Sequence, residues 1–222
     1  MHELIENALD RLAKDGWASF CIPSQSGGVM EKTSLEIAHS IGVPSPSRRR
    51  GPMVDHLSPV NRQVAKARSL SARYGLGEFP WHTDGAHWCT PPRYLVMGCL
   101  EADEKVADTI ICDGHLMAPL RSAAARAAVF RVTNGGNSFY ASVRPTLGHY
   151  FRYDPGCMTP LDDRALAMIN AMDHQLPEGE VRIGWTKGKY LLLDNWRFLH
   201  RREATAGSTS RKLIRVTVME NN

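Results

Sequence analysis

From residue 94 onward the chain is a succession of short apolar, β-branched and aromatic runs separated by turn residues, and this most narrows its possible folds. The runs fall at 94–100, 108–112, 129–133, 138–143, 150–153, 181–185, 190–193, 198–201 and 213–219. Each is strand-length, with the bulky residues that suit a pleated surface. Lys187-Gly188 predicts a tight hairpin between two of them. Helical patterns interrupt the series twice, around 119–128 and at 162–174, where Leu166, Ile169 and Met172 share one face. Many short strands with few helices predict a mainly β fold whose two sheets close into a roll or barrel.

Before this series the pattern differs. Leu4, Ile5, Ala8, Leu9 and Leu12 recur at helical spacing and Asp15-Gly16 ends the run; residues 17–22 then predict a short strand. Thr33 or Ser34 offers the cap of a second helix carrying Leu35, Ala38 and Ile41, with Gly42 as its stop. Residues 43–62 hold Pro44, Pro46, Pro52 and Pro59 together with Arg48, Arg49 and Arg50, which predicts a long surface loop with a solvated basic run. The chain of 222 residues reads as a single domain over 1–222, helical over about 1–60, with the roll as its core over about 61–222.

The net charge of +4, from 27 basic against 23 acidic residues, gives no basic face of the kind a nucleic acid requires. No apolar stretch approaches a membrane span, and residues 1–14 lack a signal peptide's apolar block. Cys21, Cys89, Cys99, Cys112 and Cys157 contain no C-x-x-C pair, and an odd number argues against a disulfide framework. A reducing, cytoplasmic setting is expected.

The chemistry concentrates in Phe79-Pro80-Trp81-His82-Thr83-Asp84-Gly85-Ala86-His87. His82 and Asp84 are two apart, so extended backbone points both side chains the same way. His200, at the end of the apolar run that follows Asp194-Asn195-Trp196-Arg197, offers a third ligand. Two imidazoles and one carboxylate on one face of an ion leave the opposite face open, which is the facial triad of non-haem Fe(II) oxygenases. His87 is read as a supporting or structural residue, Asp194 as the cap of a turn, and Trp81 and Trp88 as packing residues.

With Thr109 in the strand Ala107-Asp108-Thr109-Ile110 and Arg211 placed 11 residues after His200, the pattern resembles the taurine dioxygenase and clavaminate synthase group of Fe(II)/2-oxoglutarate oxygenases. Thr109 follows His82 by 27 residues, a spacing also similar to that family's, and Asp-Asn-x-Arg-x-x-His resembles its run into the distal ligand. The resemblance implies a double-stranded β-helix, or jelly roll, with flanking helices and iron between the sheets at the open end. It implies Fe(II), 2-oxoglutarate and O2 as cofactor and cosubstrates, with Thr109 and Arg211 on the far carboxylate of 2-oxoglutarate. Arg215, on the same strand side as Arg211, is implied at the 1-carboxylate or at an anionic group of the substrate. The chain is shorter than most members, which implies a reduced lid.

The activity so implied is hydroxylation of a small molecule, an amino acid or carboxylated metabolite, with release of succinate and CO2. Desaturation, cyclisation and epimerisation use the same cofactors and remain alternatives. Halogenation is disfavoured by Asp84, since halogenases of this type carry a small residue there. A non-catalytic, metal-binding jelly-roll sensor is a further alternative, against which Thr109 and Arg211 argue, because a sensor needs no 2-oxoglutarate clamp. Ser69, Ser71 and Arg73, in a segment that lines the pocket in relatives, and Arg144 and Arg152, in a late strand pair, are candidate substrate contacts.

Overall fold

A computed structural model describes all residues except 24, 68, 104, 105, 175, 176, 206–209 and 222. The chain begins with α1 (His2–Asp15), β1 (Trp17–Cys21), α2 (Gly27–Ile41), β2 (Val43–Ser45), β3 (Asp55–Leu57) and α3 (Leu70–Tyr74). The middle holds β4 (Tyr94–Glu101), β5 (Thr109–Asp113), α4 (Ala118–Arg121), α5 (Ala124–Ala127), β6 (Phe130–Asn134), β7 (Asn137–Ala141) and β8 (Met158–Pro160). It closes with α6 (Asp163–Asp173), β9 (Val181–Ile183), β10 (Lys189–Asp194), β11 (Phe198–Arg202) and β12 (Lys212–Met219).

The large sheet runs β1-β10-β4-β12-β2, with β3 also paired to β12; a smaller sheet runs β11-β5-β9, and a third runs β7-β6-β8. Period-two alternation explains how the first two sheets pack. In β4, Leu95, Met97 and Cys99 join Leu191 and Leu193 of β10 and Ile111 of β5 in the core between the sheets. The alternate residues Val96, Tyr190 and Leu192 face outward into a second core, under α1 and α2. Behind the smaller sheet, Ile110, Cys112 and Leu199 meet Phe130 and Met168 in a third. Strands buried on both faces need nearly continuous apolar sequence, which is what Leu191-Leu192-Leu193 supplies. The mainly β jelly-roll architecture with flanking helices is therefore the observed fold, its larger sheet covered by α1 and α2.

Several local expectations change. α2 starts at Gly27, capped by the Ser26 hydroxyl on the Val29 N–H, so Thr33 and Ser34 lie inside it, buried. The two poor helix formers Gly27 and Gly28 conceal that start in the sequence. The first 60 residues are not only helical, because β1, β2 and β3 all extend the large sheet. In α6 the buried stripe is Ala165, Met168 and Met172, and Leu166 is exposed. The predicted strand at 150–153 makes no ladder. Its backbone bonds go singly to three places, Phe151 to Trp196, Arg152 to Val143, and Thr83 to Tyr153. The Lys187-Gly188 turn forms, with Gly188 at φ 88, but it carries the chain from β9 in one sheet to β10 in another instead of joining paired strands.

Candidate active site

The β10–β11 turn and the loop after residue 79 together make one buried site. His82 and His200 form a reciprocal main-chain bridge, each N–H donating to the other's carbonyl at 2.9 Å. This fixes the loop against β11 and leaves the two imidazole rings 4.2 Å apart between centroids. Asp84 is fixed by a side chain. The Asn195 carboxamide accepts from the Asp84 N–H at 2.8 Å and donates to the Asp84 carbonyl at 3.0 Å, as a neighbouring strand would. The same amide nitrogen donates to Pro92 at 2.8 Å, and Asn195 is fully buried. Gly85, at φ 67, then turns the chain sharply; a Cβ there would lie 2.5 Å from the Pro92 ring.

His82, Asp84 and His200 each offer a ligand atom, and these atoms lie within 4.8 Å of one another. Ligands on one face of an ion, with bonds of about 2.1 Å, stand roughly 3 Å apart, so small side-chain rotations bring these three atoms onto one ion. The protonation pattern suits a metal as well. The His82 Nδ1 lies 2.9 Å from the Pro80 carbonyl, which can only accept, so Nδ1 donates there and Nε2 is the ring atom left to face an ion. The His200 Nε2 faces Asp84 Oδ1 at 3.9 Å, and its Nδ1 has no hydrogen-bond partner among the described residues.

Charge favours the ligand forms of these groups. Burial pushes the His200 imidazole down to about 3, and His82 and Arg215 add to this against Asp84, so the ring is neutral. Burial alone would raise the Asp84 carboxyl, but Arg215, His200 and His82 outweigh it and hold it at about 2. Arg215 donates to Asp84 Oδ2 at 2.7 Å and to Asp55 Oδ2 at 2.9 Å. Arg215 thus bridges two carboxylates of the protein, leaving Asp84 Oδ1 to the histidines.

A cavity of about 1090 Å³ opens over the triad and is also lined by Thr109, Arg211 and Arg215. Thr109 opens β5 opposite Arg202 of β11. Its hydroxyl oxygen accepts from the Trp185 indole N–H at 2.9 Å, so its own proton remains available to donate. Arg211 donates to the Ala107 carbonyl at 2.8 Å, its Nε has no partner, and no described carboxylate lies within ion-pair distance. Burial depresses its guanidinium to about 10. A buried cation without a counter-ion is costly, and an anion in the cavity relieves that cost.

The other expected residues divide. Ser69 and Ser71 line the cavity, although Ser69 also caps α3. Arg73 lies outside its lining and donates to the Pro155 carbonyl. Arg144 lies over the Phe151 ring, away from the cavity. Arg152 is buried elsewhere too; its guanidinium donates to the carbonyls of Ala86, Trp88 and Cys89, so it clamps the turn after the ligand loop. Both lie outside the strand ladder assumed for them. His87 accepts from the Trp88 indole at 3.0 Å and lines the cavity. Asp194 caps its turn through the Trp196 N–H, and Trp81 is core.

Residues 119–217 match the model of the taurine catabolism dioxygenase TauD, TfdA family. That stretch includes His200, Arg211 and Arg215 and ends close to the C-terminus, while His82, Asp84 and Thr109 precede it. No curated protein matches the sequence significantly. Among solved structures, asparagine oxygenase with Fe(II), 2S,3S-3-hydroxyasparagine and succinate superposes with a TM-score of 0.77 at 18% identity, over 100% of this chain and 80% of that one. The non-haem iron oxygenase OrfP, with Fe, succinate and (3S)-hydroxy-L-Arg, gives 0.68 at 18%, over 99% and 80%. A taurine dioxygenase from Burkholderia xenovorans gives 0.69 at 17%, over 98% and 81%. The fold of these structures thus extends over nearly the whole chain.

The sequence motif assigns Asn195 no role, and the structure makes it the main support of the Asp84 backbone. Asn195→Ala is expected to weaken Mn(II) or Fe(II) binding ~10- to 100-fold, as loss of an outer support of a metal ligand does. Metal titration measures this, and circular dichroism checks the fold. Unchanged affinity in a folded variant would show that Asp84 holds its position without Asn195.

Proposed function

We propose that the chain is a non-haem Fe(II)- and 2-oxoglutarate-dependent oxygenase that hydroxylates a small molecule with release of succinate and CO2. One observation carries this reading. A His82, Asp84, His200 cluster, and a buried arginine with no carboxylate partner among the described residues beside a free hydroxyl proton, line a single cavity. Fe(II) held by His82, Asp84 and His200 would supply activation of dioxygen and, with 2-oxoglutarate, oxidative decarboxylation of that cosubstrate.

The residues supply binding and orientation. Arg211 presents a planar fork to the distal carboxylate of 2-oxoglutarate, and Thr109 adds its hydroxyl proton. Arg215 and Asn195 keep Asp84 from turning, so one carboxylate oxygen faces the ion. The substrate is an amino acid or other carboxylated metabolite, and the hydroxyamino-acid ligands of the asparagine oxygenase and OrfP structures support that class. Asp154, in the cavity lining, can receive a substrate cation. All five cysteines are free, which fits a cytoplasmic location, and no helix among the described residues is long and apolar enough to cross a membrane.

The test is direct. Protein with Fe(II), 2-oxoglutarate and air should form succinate above a metal-free control even without a prime substrate. No succinate from a protein shown to bind Fe(II) and 2-oxoglutarate would rule the oxygenase reading out.

A further inference from the structure

The arginine run at 48–50, expected as a solvated stretch, reaches the cavity. Ser47, Arg48 and Arg49 belong to its lining, whereas Arg50 does not. The segment follows β2, which pairs with β12, and β12 also bears Arg215. A turn in which the Gly51 N–H donates to the Arg48 carbonyl at 2.8 Å shapes it. Arg48 lies close enough to His87 for its charge to add to the burial that depresses that imidazole. Arg48 and His87 thus belong to the same side of the cavity.

The other arginines of the lining are engaged. Arg215 is matched by Asp55 and Asp84, Arg201 by Glu78 and Glu180, and Arg202 by the carbonyls of Gly75 and Gly77. Arg211 faces the deep end of the cavity assigned to the cosubstrate. The guanidinium groups of Arg48 and Arg49 make no hydrogen bond or ion pair among the described residues. Arg48 and Arg49 are exposed residues of the cavity lining, and a guanidinium can grip a carboxylate through two parallel N–H donors.

We infer that Arg48 and Arg49 form the carboxylate-recognising subsite for the substrate, which is therefore a free acid and not its amide or ester. This rests on the oxygenase reading. Arg215 is the obvious rival for the role, but two protein carboxylates already neutralise it, and moving it onto the substrate would release Asp84. Arg48 and Arg49 lie on the exposed margin, where screening limits what each contact contributes. Their effect is to select and orient an acid at the cavity mouth.

The experiment uses iron-loaded protein with 2-oxoglutarate and the twenty common L-amino acids, each against its carboxamide, and reads stimulated succinate formation. At least one acid should stimulate and its carboxamide should not. In the Arg48→Gln/Arg49→Gln double variant the KM of that acid should rise roughly 2- to 30-fold, the range for losing two solvent-screened ion pairs. The KM for 2-oxoglutarate should move far less. Arg50→Gln, in the same run but outside the lining, should retain the wild-type KM. A carboxamide as effective as its acid, a double variant that keeps the preference, or failure of all twenty acids overturns the inference. Substrate-free succinate formation by the wild type separates these outcomes from failure of the oxygenase reading itself.

Discussion

His200→Ala is expected to abolish iron-dependent succinate formation while the metal-free protein stays folded. His200 lies within β11, but the fold uses it only through its backbone, in the reciprocal bridge with His82 and the pairing with Ile111. Alanine keeps both. The ring lines the cavity, and its Nδ1 has no partner among the described residues, so removing it orphans no described buried donor or acceptor. Nor does it remove a charge, since burial keeps the imidazole neutral. Asp84→Ala is a less clean probe, because it leaves Arg215 with Asp55 alone. Losing one of three ligands removes several kcal/mol of metal-derived stabilisation, and about 4 kcal/mol corresponds to roughly a 10³-fold loss of rate. Metal titration, succinate release and the thermal midpoint of the metal-free protein are the three readouts. Activity within tenfold of wild type would remove His200 from the ligand set.

The sequence disclosed this site unevenly, for physical reasons. Backbone periodicity brings His82 and Asp84 to the same side, and that is visible locally. The bridge that sets His82 against His200 pairs residues 118 positions apart, which no local periodicity shows. The strands β4, β10 and β12 were legible because burial on both faces writes long apolar runs. The segment at 150–153 has the same composition and forms no strand, because its backbone partners lie in three separate loops. Arg152 misled for a related reason. A guanidinium serving three backbone carbonyls looks, in sequence, like one awaiting a ligand. Arg48 and Arg49 were hidden in the opposite sense. Their placement depends on the pairing of β2 with β12, which a basic run between prolines does not announce.

Arg211→Ala is expected to raise the KM for 2-oxoglutarate far more than that of the substrate. Arg211 is 9% exposed and has no carboxylate partner within ion-pair distance among the described residues, so a cosubstrate carboxylate would be its first full counter-charge. Truncating one partner of such a buried pair costs about 2–5 kcal/mol, or roughly 30- to 3000-fold in affinity. Arg211→Lys should fall between, since it keeps the charge and loses the two-pronged donor. Thr109→Val should raise the same KM less, by the ~0.5–1.5 kcal/mol of one hydrogen bond. It should also lower the melting temperature, because it strands the Trp185 indole N–H in the core without an acceptor. Thr109→Ser separates the two effects by keeping the hydroxyl for both partners. The expected order of 2-oxoglutarate KM is therefore Arg211→Ala, then Arg211→Lys, then Thr109→Val, with Thr109→Ser close to wild type. A folded Arg211→Ala protein with an unchanged 2-oxoglutarate KM would mean that the cosubstrate carboxylate binds elsewhere in the cavity.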